Sequence, residues 1–258
     1  MFNIQMKQIR YAVLGAGLVG MALRALLYLT AIDQKGLLTS GHWTTWLILI
    51  LTGLTLAFLV ITLPKTPESN SCESHFPASF SQGITSLLFA AAIALRTVPS
   101  LSNIHDSLEL VAAVFGILTA TAMAIVGICR FTGKRPVFLC HSILCLFFAL
   151  QMVNQYRRWS ADPQLMNYSF YLLSFVCLML TSYFLAGFDA DMGQQRPLRF
   201  FSMAAGFFCC VALPESGDAG LLITGALWSF YCAPHRQVRP RRQRPALILD
   251  EETEDENS

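Results

Sequence analysis

The chain has 258 residues, 54% of them apolar and only 13% charged, with a formal net charge of +2 and a mean hydropathy of +0.51. A soluble domain carries roughly 25% charged residues, so there are too few charges here to cover the outside of an apolar core of this size. The composition excludes an ordinary water-soluble globular protein and leaves the lipid bilayer as the solvent.

A hydrocarbon core about 30 Å thick needs about 20 largely apolar residues at a helical rise of 1.5 Å. Eight such runs follow one another: Tyr11 to Ala31, Thr44 to Leu63, Ala78 to Val98, Ser107 to Cys129, Pro136 to Tyr156, Leu165 to Phe188, Pro197 to Leu213 and Ala219 to Ala233. The sequence therefore predicts an all-α integral membrane bundle of about eight transmembrane helices. Residues 1–10 form a short N-terminal segment, 11–234 the multi-pass domain and 235–258 a disordered tail. The last two runs, about 17 and 15 residues, are short, which suits either thin spans or a re-entrant hairpin.

The first run resembles a signal peptide in having Lys7 and Arg10 ahead of it, but it is as long as a full span, carries Arg24 and lacks a convincing small-residue cleavage site. It is expected to be retained. Gly15, Gly17 and Gly20 also match a G-x-G-x-x-G dinucleotide fingerprint, with Asp33 near the place of a ribose-binding acid. That fold needs alternating strands and polar-faced helices downstream, whereas another hydrophobic span follows. Ala12, Ala16 and Gly20 recur every four residues and are better read as a small-residue seam for close helix packing.

Orientation follows from the loops, because Lys and Arg are retained on the cytoplasmic side. With eight spans and the N-terminus inside, cytoplasmic segments hold Lys7, Arg10, Lys65, Arg130, Lys134, Arg135, Arg196 and Arg199 as well as the tail, while outer loops hold only Lys35, Arg157 and Arg158. An odd count would put the most basic segment outside. Both termini are therefore expected in the cytoplasm.

Charges within spans are costly and usually face protein or water with a partner. Arg24 lies in the outer half of the first span, Arg96 closes the third on that side, Glu109 opens the fourth, and Gln151 and Asn154 sit in the outer half of the fifth. Together they outline an outward polar pocket for an anionic or carboxylate-bearing ligand; the plainer alternative is that Arg24 pairs with Glu109 or snorkels and fixes packing. His141, Cys145, Gln151, Asn154 and Gln155 share about half the circumference of the fifth span, so that face belongs inside the bundle. His141 near the cytoplasmic end reads as a hydrogen-bonded or solvated structural histidine rather than a proton shuttle. Asp189 and Asp191 read as a polar helix end rather than a catalytic acid pair. The lone Cys72/His75 pair has no further ligands at metal-site spacing, and no nucleophile elbow, H-E-x-x-H or P-loop is present. No cofactor or metal is implied, and the eight cysteines, mostly within spans, read as small apolar fillers.

The tail carries Arg236, Arg239, Arg241, Arg242 and Arg244 and then six carboxylates after Leu249. Pro-interrupted and extended, its basic part can bind anionic lipid at about 1 kcal/mol per Arg near the surface. The run is short and lacks aromatic residues, so nucleic acid is not an expected partner. A membrane-protein partner is.

FLCHSILCLFFALQMVNQYRRWSADPQ in the fifth span and CLMLTSYFLAGFDADMGQQRPL from the sixth to the seventh resemble a group of uncharacterised bacterial multi-spanning membrane proteins. LRALLY and GHWTTWL share that flavour. The resemblance implies a bacterial cytoplasmic membrane and carries no activity or functional residues. The expected function is a non-catalytic membrane component, a scaffold or assembly partner; the alternative is a small-molecule transporter or ligand sensor using the outward pocket.

Overall fold

The computed structural model describes residues 6–31, 42–63, 80–100, 107–159, 168–215 and 217–232. Among them the regular elements are all helical: α1 (Met6–Ala31), α2 (Trp43–Thr62), α3 (Phe80–Ser100), α4 (Ser107–Thr132), α5 (Phe138–Trp159), α6 (Ser169–Asp189), α7 (Gln195–Ala212), a 3₁₀ turn (Leu213–Glu215) and α8 (Ala219–Cys232). Each of the eight expected runs is one helix. α1 starts five residues early, because Gln8, Ile9 and Arg10 continue the helix and bury Ile9. Six of the helices, α1 to α6, are long and apolar enough to cross a membrane. α7 and α8, with 18 and 14 residues, are about 27 Å and 21 Å long at 1.5 Å per residue.

α3 to α8 form a ring in the order α3, α4, α5, α6, α7, α8, closed by packing of α8 on α3; α1 lies outside it against α7, and α2 lies against α1. The end at which α1 starts is here termed basal and the other apical. At the basal end of α3 the Phe80 ring meets Phe131 at the end of α4. α8 runs antiparallel to α3 along most of its length, from Asp218 bonded to Arg96 at the apical end to the Tyr231 carbonyl bonded to Gln82 at the basal end.

α7 is the pivot of the bundle. Leu198, Arg199, Ser202 to Cys209, Val211 and Ala212 are all buried, because α6, α8, α1 and α2 each cover part of its circumference. Its small residues permit this. A Cβ on Gly206 would lie 2.5 Å from the Phe230 ring of α8. On the other side, Gly17 and Gly20 of α1 bring Cys210 and Val211 of α7 within 3.1 and 2.7 Å of a would-be Cβ. The close approach thus falls on Gly17 and Gly20. Ala12 is exposed and Ala16 half-buried, and both line an apolar groove with Val13, Leu54, Thr55 and Phe58 between α1 and α2. Helix packing on these surfaces is of the small-residue kind that replaces the hydrophobic effect in lipid.

The middle of the ring is filled by aromatic side chains. Trp228 stacks on Phe89 at 5.2 Å, Phe89 on Phe148 at 6.1 Å, Phe148 meets Phe175 at 5.7 Å, and Phe175 meets the edge of Tyr171 at 4.6 Å. Phe89, Phe148 and Phe175 have no exposed surface and Trp228 has 1%. Such offset and edge-on pairs are the preferred geometry of aromatic quadrupoles. This stack separates two polar groups, one at each end.

Candidate functional site

The apical group centres on Asp218, in the turn before α8. Arg96 donates from Nη2 to Asp218 Oδ2 at 3.1 Å, and Tyr171 donates its hydroxyl to the same oxygen at 2.6 Å. Gln155 Nε2 approaches the Tyr171 oxygen at 3.5 Å, and the Arg96 guanidinium lies 5.7 Å from the centroid of the Phe175 ring. A cation, a carboxylate and a phenol from α3, the α7–α8 turn and α6 therefore form one nearly neutral, partly exposed network. Arg96 Nη1 is buried and has no hydrogen-bond partner.

Of the five residues outlined as an outward pocket, only Arg96 belongs to this network. Gln151 is buried and Asn154 half-buried on the same helix as Gln155, and Glu109 is half-buried in the first turn of α4. Arg24, 3% exposed, sits over the Phe170 ring at 4.7 Å. Phe170 and Phe175 are about 140° apart around α6 at 100° per residue, so the two arginines approach that helix from different sides. The acid that Arg96 meets is Asp218. The sequence reading passed over Asp218 and Tyr171 because one lies in a tight turn and the other inside an apolar run. The signal was a pair of carboxylates, Glu215 and Asp218, between two short spans on the side where Arg96 ends α3.

The basal group is more buried. His141 in the first turn of α5 and Asp189 at the end of α6 are joined through Nδ1 and Oδ2 at 2.5 Å, each side chain 1% exposed. The structural reading of His141 fits this contact, and the carboxylate fixes the imidazole. Two residues on, Asp191 adopts a left-handed backbone, φ 59°, a conformation Asp tolerates better than most residues. In the same turn the Met192 N–H donates to the Gly187 carbonyl at 2.9 Å, a helix-ending bond of the Schellman type. The turn presents Asp191 to Arg135 at 2.5 Å, and Arg135 also donates to the Phe188 carbonyl at 3.3 Å. The two aspartates thus tie the α6–α7 turn to the start of α5, one by a buried contact and one by an exposed contact.

Two further basal arginines are buried, Arg130 at 7% and Arg199 at 1% exposure. Arg199 Nη2 donates to Gln195 Oε1 at 3.2 Å, while its Nε is buried with no hydrogen-bond partner. Arg10 of α1 lies within Coulombic range of Arg199, and Cys232 at the end of α8 lies within range of Arg10, Arg130 and Asp189. The sequence reading treated all these arginines as orientation signals in loops. α1 starts five residues before its expected run and α4 ends three residues after its own, which brings Arg10 and Arg130 into helices; Arg199 already lay within the run Pro197 to Leu213.

The described cysteines are free thiols, and among the described residues no three His, Cys, Asp or Glu side chains gather to hold a metal ion. Cys72, His75, Asp33 and the tail arginines Arg236, Arg239, Arg241, Arg242 and Arg244 lie outside the described residues. The fold defines the class: a helical bundle with six membrane-length helices, which fits a multi-pass membrane protein. Comparison with known protein families, curated proteins and solved structures gives no match.

Proposed function

We propose that the chain is a multi-pass protein of the bacterial cytoplasmic membrane, crossing the bilayer eight times with both termini in the cytoplasm, and that it serves as a non-catalytic component, a scaffold or assembly partner. The observation that carries this reading is the Trp228–Phe89–Phe148–Phe175 stack, which fills the ring between the two polar ends. A protein so filled works through its outer faces and its ends. Loop charge supports the orientation, since Arg10, Arg130, Arg135 and Arg199 share one end. The antiparallel course of α8 along α3 favours a full crossing over a re-entrant dip. The apolar groove between α1 and α2 is the face we assign to a membrane-protein partner.

The test joins crosslinking to transport. A photoreactive residue at Leu54, exposed in that groove, is expected to give a discrete crosslinked species in membranes, and purified protein in proteoliposomes is expected to move no small anion. Anion flux that disappears in Arg96→Gln would overturn the reading in favour of a transporter. A reporter fused after Ser258 that reads extracytoplasmic would overturn the topology.

The ligand-sensor reading is favoured by one observation: the buried Arg96 Nη1 without a hydrogen-bond partner. A small carboxylate that raised the melting temperature of the native protein but not of Arg96→Gln would support it, because a ligand that binds only the folded state stabilises it.

A further inference from the structure

Arg199 is an unusual residue to find inside a bundle. It is 1% exposed, its guanidinium's one hydrogen-bonded partner is the neutral amide of Gln195, and its Nε is left without one. A buried cation normally has a partner of opposite charge, since desolvating it alone costs several kcal/mol. At this end the carboxylates among the described residues are Asp189 and Asp191, held by His141 and Arg135. Against them stand Arg10, Arg130, Lys134, Arg135, Arg196 and Arg199. Positive potential is further raised by the start of α7. The macrodipole of this 18-residue helix puts partial positive charge there, and its N-cap position, Gln194, makes no side-chain capping bond.

We propose that Arg199 and the N-terminal end of α7 form a binding site for a phosphate group at the basal end of the bundle. The planar guanidinium fork suits phosphate oxygens, and a helix N-terminus is a ready anion site. Arg10 contributes field across the α1–α7 contact. Gln195, which caps Nη2 here, swings away to admit the ligand. The phosphate has two sources, the headgroup of an anionic phospholipid or a soluble phosphate. The lipid source rests on the membrane reading above, and the soluble one does not.

The full chain is purified in uncharged detergent, and its melting temperature is followed on titration with phosphatidylglycerol, with phosphatidylcholine, and with inorganic phosphate against chloride at equal ionic strength. Phosphatidylglycerol, phosphate or both are expected to raise it. Arg199→Gln is expected to weaken the response roughly tenfold to a hundredfold, the loss of a charge-assisted hydrogen bond; Arg199→Lys restores part of it. The exposed control Lys134→Gln, with the same change of charge, keeps the response. Without ligand, Arg199→Gln melts at or above the native temperature, because an unmatched buried charge has been removed. A response to phosphate alone keeps the site and removes lipid as its source; a response to phosphatidylglycerol alone fixes the headgroup as its source. The proposal is overturned by an equal response to phosphatidylcholine, by no response to either anion, by a response that survives in Arg199→Gln, or by equal losses in Arg199→Gln and Lys134→Gln.

Discussion

The two ends of the bundle solve the problem of buried charge differently. At the apical end, one cation, one carboxylate and one phenol from three parts of the chain converge on a single oxygen, Asp218 Oδ2, and the group is close to neutral. At the basal end, a His–Asp contact and an Arg–Asp bridge use the two acids found there among the described residues, and Arg199 is left buried with only an amide. Burial alone does not mark a functional charge, since Arg96 and Arg199 are both largely enclosed. The difference lies in whether the described residues supply the counter-charge.

Substitutions break this comparison at different depths. His141→Ala removes the imidazole from a carboxylate that is 1% exposed and is expected to cost about 3–5 kcal/mol, read as a large fall in melting temperature in detergent. Asp218→Ala takes the common acceptor from Arg96 and Tyr171 in a pair whose Arg96 and Asp218 side chains are 18% and 27% exposed; about 1–3 kcal/mol is expected, with Tyr171→Phe losing less by the same assay. Arg135→Gln breaks a bridge whose side chains are 36% and 58% exposed, so no more than about 1 kcal/mol should be lost, and less as salt is raised. If Arg135→Gln cost as much as His141→Ala, the α6–α7 turn would be held mainly from outside, and the buried contact would lose its rank.

Much of the fold was legible in the sequence because hydropathy is local. Each apolar run became one helix, and the start of α2 at Trp43 or the end of α6 at Asp189 falls within a residue of its expected place. Side-chain partnerships were not, because they depend on which helices become neighbours. Glu109 was read as the acid for Arg24, beside an outward pocket that included Arg96, and no acid was foreseen for Arg96 itself; α8 returns along α3 and delivers Asp218 to it. Small residues were legible in part for a similar reason. Of the Ala12, Ala16 and Gly20 spacing, Gly20 meets α7, the rotation of α1 adds Gly17 to that contact, and Ala12 and Ala16 line the groove between α1 and α2. Arg199 could have been singled out as a cation with an amide one turn before it on α7, but nothing in the sequence shows that it is buried.

The most direct test is a paired measurement of melting temperature for Arg96→Gln and Arg199→Gln, both in detergent free of lipid and phosphate. With its counter-charge supplied by the chain, Arg96 should be missed: its substitution leaves Asp218 without its cation and lowers the melting temperature. Arg199, which meets no counter-charge among the described residues, should be dispensable under these conditions, leaving the temperature unchanged or raised. Equal falls in both would contradict the distinction between a balanced apical end and a basal end that awaits an anion.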